Sequence, residues 1–227
     1  MSAHPPSPIE LEFVRRYDQA HARVCGDERP LGLGRRLSLW RDERLVRHAL
    51  KVAGEPGLLL DVACGAGRFW PVLGEHGNRV ILAADPSQDM LEHAQTHHPA
   101  SLLKRVRTFQ SSSFSIGLSA NAVDCIVCLQ LFPHVASSEA RLALLREFHR
   151  VSRDAVILAV RLDSRFKAVQ ERLLGSSTLQ LQPASPLPTS RARVEAEFKE
   201  AGFEVLSHQD FIPGCAAWRV YVLRKQG

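Results

Sequence analysis

Two glycines separated by one residue, Gly65 and Gly67, follow the apolar run Leu58-Leu59-Leu60-Asp61-Val62. Eighteen positions after Gly67, Asp85 closes a second apolar run. A strand that ends in glycines lets the backbone approach a ligand closely and swing into a helix, and a later acidic residue can accept both hydroxyls of a ribose. The spacing therefore reads as a nucleotide-type cofactor site. A dinucleotide loop needs a third glycine, and that position is Trp70, with Pro71 behind it, so a pyrophosphate is expected to meet an indole. An acidic residue, Asp61, precedes the glycines instead. A carboxylate beside the loop repels phosphate and suits a ligand with a positive centre or an amine.

S-adenosylmethionine has a sulfonium, an α-amine and a ribose, and carries no phosphate. The stretch Asp61-Val62-Ala63-Cys64-Gly65-Ala66-Gly67-Arg68-Phe69, with Asp85-Pro86-Ser87-Gln88-Asp89-Met90-Leu91 after it, resembles the class I S-adenosylmethionine-dependent methyltransferases, more narrowly the methyltransferase type 11 group. The resemblance continues through Leu144–Val151 and Phe198–Val205 and covers roughly three quarters of the chain. It implies that Asp61, Ala63, Gly65 and Gly67 line the methionine and sulfonium end and that Asp85 binds the ribose. Pro86 and Met90 are implied near the adenine, and Leu129 at the end of the fourth strand. Many relatives bond the adenine amine through an acidic residue after the third strand. Counting back from Val123-Asp124 puts Ser112 there, a weaker acceptor than a carboxylate.

The elements that must position these residues alternate. Apolar, β-branched runs at 57–62, 79–84, 104–110, 122–129 and 154–161 are interleaved with helical patterns at 67–76, 87–97 and 137–151. Such alternation implies a parallel sheet covered on both faces. A helix over 189–201 and runs at 203–211 and 216–224, joined at Pro213-Gly214, suggest an antiparallel pair. The expected fold is a doubly wound, Rossmann-like α/β domain. Its seven-stranded sheet is mostly parallel, with an antiparallel last strand and N-terminal helices over 8–24 and 35–53. Within one domain spanning 1–227, residues 1–55 form a helical cap, 56–162 the cofactor-binding core and 191–227 a terminal helix and strand pair. Residues 163–190, amphipathic and then rich in Ser and Pro, read as a lid or a surface loop.

The chain has 227 residues, 45% of them hydrophobic, enough for one substantial core. No apolar run reaches membrane-spanning length, and the N-terminal residues lack the pattern of a secretory signal, so a cytoplasmic setting is expected. Five cysteines are too few and too scattered for a disulfide framework. Cys125 and Cys128 lie three apart inside a strand, which points their thiols to opposite faces and favours packing over zinc or redox chemistry.

Methyl transfer requires little from side chains beyond positioning, because the sulfonium is already an excellent leaving group. His134, after the fourth strand, reads either as a general base for a hydroxyl or as a loop histidine. The stretch Leu129–Val135 lacks the acidic or Asn residue, two prolines and aromatic often found in amino-methylating enzymes that act on adenine or glutamine. A small-molecule or metabolite acceptor is therefore expected. One alternative is RNA, since the net charge is +5 and residues 35–51 carry six Arg or Lys against two acids. Arg44, Arg47, His48 and Lys51 are placed on one face of that helix. Another alternative is a protein that binds the cofactor without transferring its methyl.

Overall fold

The computed structural model describes residues 33–163, 189–213 and 215–227. The expected helix at 8–24 and nearly all of the expected lid at 163–190 lie outside the described residues. Helix α1 (Leu33–Val52) leads into strand β1 (Leu58–Val62), the short α2 (Trp70–Leu73) and β2 (Val80–Asp85). Helices α3 (Gln88–His97) and α4 (Ala100–Leu103) precede β3 (Val106–Gln110) and β4 (Val123–Cys128). A 3₁₀ turn at Phe132–His134, helix α5 (Ser138–Val151), β5 (Ser152–Arg161), α6 (Arg191–Glu200), β6 (Phe203–Ile212) and β7 (Cys215–Lys225) complete the order.

The strands form one seven-stranded sheet in the order β3-β2-β1-β4-β5-β7-β6. Strands β1 to β5 pair in parallel, and β7 runs antiparallel between β5 and β6. The expected fold class is therefore the observed one. Helix α2 is shorter than the expected 67–76, because Gly65 and Gly67 hold positive φ and delay its start to Trp70.

Period-two alternation divides the strand side chains between two cores. Leu59, Cys125, Ile157 and Val222 face the side covered by α1, α2 and α4, while Leu60, Ile126, Cys128 and Val156 face α5 and α6. Cys125 and Cys128 thus point to opposite faces as expected, and burial pushes the Cys128 thiol up to about 12. Such thiols are inert packing groups.

Helix boundaries follow local chemistry. Ser87, Ser137 and Ser190 cap α3, α5 and α6 by accepting the Met90, Ala140 and Arg193 amides. On α5, Leu144, Leu145, Phe148 and Val151 recur at helical spacing and are buried. Arg141 of α5 and Glu197 of α6 join these helices through two hydrogen bonds of 2.7 and 2.6 Å, with both side chains only 4% exposed.

Helix α1 packs on β6, β7 and α2. Midway along it, Arg41 donates to the Phe211 and Asp210 carbonyls at the C-terminal end of β6. At its far end, the turn at Ala53–Glu55 feeds the beginning of β1. Its first two turns therefore sit at the edge where β1 to β5 end.

Candidate functional site

Strand order reverses at β1, whose neighbours β2 and β4 lead the chain away in opposite directions. A crevice opens beyond the carboxyl ends of the strands at such a point. The loop after β1 lies at this crevice, with Asp85 and Pro86 ending β2 and Ser112 following β3. Leu129 and the half-buried His134 follow β4. The fold thus gathers at one sheet edge residues spread from 61 to 134.

The loop is bent by three left-handed residues, Ala63 at φ 53°, Gly65 at 54° and Gly67 at 71°. Ala63 adopts this conformation despite its Cβ, a strain of about 1–2 kcal/mol of the kind that clusters at functional sites. Asp85 is buried and fixes the loop from the neighbouring strand. One carboxylate oxygen accepts the Gly65 N–H at 2.8 Å and the other the Ser87 N–H at 2.9 Å. These two bonds orient the carboxylate beside the loop.

Trp70 corrects one expectation. Its indole is fully buried in the core, so it does not stand where a phosphate would lie. It supports the loop from beneath, and a Cβ on Gly67 would come within 2.5 Å of the ring. His98 supports the same loop laterally: its Nε2 is 3.0 Å from the Ala66 carbonyl, and its ring lies 5.0 Å from that of Trp70.

Asp61 is only 4% exposed. Burial pushes its carboxyl up to about 8; the adjacent Trp70 indole N–H offsets this without completing a well-aligned hydrogen bond, and the Asp85 charge adds to it. No cation is among its electrostatic neighbours in the described residues. A buried acid without an internal counter-charge fits a ligand that supplies positive charge, and a sulfonium or an α-ammonium does so.

Sequence reasoning missed a second set of residues. Arg68, directly after the loop, donates to Asp42 of α1 at 2.5 Å, and its guanidinium lies 4.8 Å from the Phe69 ring centre. Asp42 is 2% exposed; burial pushes its carboxyl up to about 6, with the Arg68 charge and hydrogen bond opposing the shift. No local spacing signals a pair 26 residues apart, and Asp42 stands in a run of basic residues. Among the described residues no group of three His, Cys, Asp or Glu side chains could hold a metal ion.

Residues 59–155 match a family model described as a methyltransferase domain. The matched residues carry a methyltransferase domain, and the sheet order and loop are consistent with a class I S-adenosylmethionine-dependent methyltransferase. The chain is 26% identical over 145 residues to the tRNA (carboxymethyluridine(34)-5-O)-methyltransferase alkbh8 of Xenopus tropicalis, covering 61% of this chain and 21% of that protein. The chain thus spans about a fifth of the length of that curated relative. The magnesium protoporphyrin IX methyltransferase of Synechocystis PCC 6803, solved with its bound demethylated cofactor, superposes with a TM-score of 0.68 at 16% identity, over 96% of each chain. The same enzyme with the methyl donor bound gives 0.64 at 15% identity, over 96% of this chain and 93% of that one. At such identities the structural likeness concerns the fold. The S-adenosylmethionine of this methyltransferase family suits the buried, uncompensated Asp61.

Proposed function

We propose that this methyltransferase transfers the methyl of S-adenosylmethionine to a small-molecule acceptor. The observation that carries the cofactor site is the left-handed loop 63–67 held between two buried acids, Asp61 and Asp85. In this reading Asp61 stabilises the positive methionine end, and the backbone of Ala63, Gly65 and Gly67 allows close approach. Asp85 receives the ribose hydroxyls, while Pro86, Met90, Ser112 and Leu129 surround the adenine. The cofactor supplies an electrophilic methyl on an excellent leaving group, so the protein has mainly to align the acceptor and exclude water. His134, on the turn after β4, is assigned the proton of a hydroxyl acceptor.

Calorimetric titration with S-adenosylmethionine tests this reading. Asp85→Ala is expected to lower affinity by at least about tenfold, the loss of a charge-assisted hydrogen bond. Unchanged affinity would remove the ribose assignment. His134→Ala is expected to bind normally and turn over slowly; an unaltered rate returns it to a structural role.

A second reading, an RNA acceptor, has its own observation. On the outer face of α1, Arg36, Trp40, Arg44, His48 and Lys51 form one exposed stripe, with the Arg44 guanidinium 5.4 Å from the half-exposed Trp40 ring. Cations interleaved with an exposed aromatic suit phosphates and stacked bases. The curated relative's action on tRNA agrees with this reading.

A further inference from the structure

Among the described residues, five buried side-chain polar atoms have no hydrogen-bond partner: Ser38 Oγ, Asp42 Oδ1, Trp70 Nε1, Ser152 Oγ and Trp218 Nε1. Native proteins rarely leave such atoms unmatched, and each one calls for a reason. The Trp70 N–H lies beside Asp61, and Ser152 begins β5 at the opposite edge of the sheet. The other three lie on the α1 side of the sheet, towards the carboxyl ends of its strands. Ser38 and Asp42 are one turn apart on the buried side of α1, in the half of the helix that Arg41 anchors to the carboxyl end of β6. Trp218 pairs in register with Arg161, the last residue of β5, and belongs to the core on the α1 side of the sheet. All three are therefore at the carboxyl edge of the strands, and Asp42 is tied by its other oxygen to Arg68, the residue that follows the glycine loop.

We propose that Ser38 and Asp42, with the Trp218 indole at the same edge, form the recognition site for the methyl acceptor, and that this acceptor presents an amine or hydroxyl at its reacting end. The inference deepens the methyl-transfer reading above and rests on it. The chemistry follows from the unmatched atoms. Asp42 Oδ1 can only accept a hydrogen bond when ionised, so it selects an N–H or O–H donor. Ser38 Oγ can accept or donate, and the Trp218 N–H donates to a lone pair elsewhere on the same molecule. A site built of unmatched polar groups discriminates strongly, because an analogue lacking the matching group leaves them unpaired. The Arg68 bond holds the Asp42 carboxylate in one orientation beside the loop, so acceptor and methyl donor are brought to the same place. These atoms are covered in the ligand-free protein, and acceptor binding must displace what covers them.

Two measurements test the site. In thermal unfolding, Ser38→Ala is expected to raise Tm by about 2–4 °C, the shift for removing a buried, unmatched hydroxyl from a chain of this size. A fall in Tm would mean that the hydroxyl is held by a structural partner and would overturn the site. In the second, methyl-labelled S-adenosylmethionine is incubated with the low-molecular-mass filtrate of a cell extract. Ser38→Ala and Asp42→Asn are expected to transfer label at least about tenfold more slowly than the wild type at unchanged cofactor affinity, each having lost one hydrogen bond to the acceptor. Asn keeps an oxygen for Arg68, so its loss of rate is not loss of the helix contact. Full transfer by both variants, or label on an atom that carried no N–H or O–H, overturns the proposal. If the wild type binds cofactor and labels nothing in the filtrate, the small-molecule reading fails, and the Ser38→Ala unfolding experiment alone decides the site.

Discussion

Asp61 shows what burial does to one residue. Its ordinary pKa of 3.8 is raised to about 8, so between these values the folded protein holds a proton that the unfolded chain has released. Stability of the ligand-free protein from this group is then greatest below about pH 4 and falls as the pH rises towards 8. A cationic ligand reverses the shift. Binding of S-adenosylmethionine at pH 7 is therefore expected to release close to about one proton per site. Calorimetry in buffers of different ionisation enthalpy measures this directly, and an observed enthalpy independent of buffer would show that Asp61 does not face the positive centre. Gly67 is constrained by geometry: φ is 71° and a Cβ would meet the Trp70 ring at 2.5 Å. Gly67→Ala is expected to destabilise the fold by about 1–3 kcal/mol, measurable by denaturant titration. A smaller loss would mean that the indole can move aside.

At the scale of elements, α5 and α6 cover one face of the sheet, joined by the buried Arg141–Glu197 ion pair and the exposed Arg146–Glu200 pair. Arg141 also donates to the Val135 and Ala136 carbonyls, and Ser138 donates to Glu197, so the charges are both paired and hydrogen-bonded. Burial alone raises the Glu197 carboxyl; the Arg141 and Ser138 hydrogen bonds outweigh it and hold the group below its ordinary value. The pair therefore contributes its stability above the ordinary glutamate range and loses it as the pH falls through the lowered value. Glu197→Ala leaves a buried guanidinium uncompensated and is expected to cost about 3–5 kcal/mol at neutral pH. Equal stability of variant and wild type would show that water already solvates Arg141. The sequence placed these helices through their helical pattern, and the structure adds their serine caps. The sequence held no sign of the ion pair, because the partners are 56 positions apart and each lies in an ordinary mixed-charge segment.

For the whole molecule, the net charge of +5 is a weak guide until the fold shows which charges are engaged. Arg47, placed with the basic face from sequence, is bound by Glu43 and Glu75 at 2.9 and 2.7 Å. Arg36, Arg44, His48 and Lys51 remain on the exposed stripe with Trp40. If the acceptor is RNA, binding of bulk tRNA to the wild type is expected to weaken steeply with salt, and Arg44→Glu together with Trp40→Ala to abolish most of it. Salt-independent or absent binding leaves the stripe as a solvated helix face. Among the described residues no helix is long and apolar enough to cross a membrane. After β5, the Asp163 amide donates to the Thr189 carbonyl at 3.1 Å, so these two described residues meet.

The chain by itself determined the alternation of strands and helices, the loop 61–67 and the acid at 85, because hydrophobic period, glycine geometry and carboxylate chemistry are local properties. It therefore specified the fold class and pointed to the methyl donor. The tertiary structure decided what depends on distant partners: that Trp70 lies under the loop, that Asp42 meets Arg68, and which arginines are already paired. Acceptor chemistry belongs to this second kind. In the acceptor site proposed above it would depend on polar atoms of α1 and β7, which come to the same sheet edge only when the chain folds.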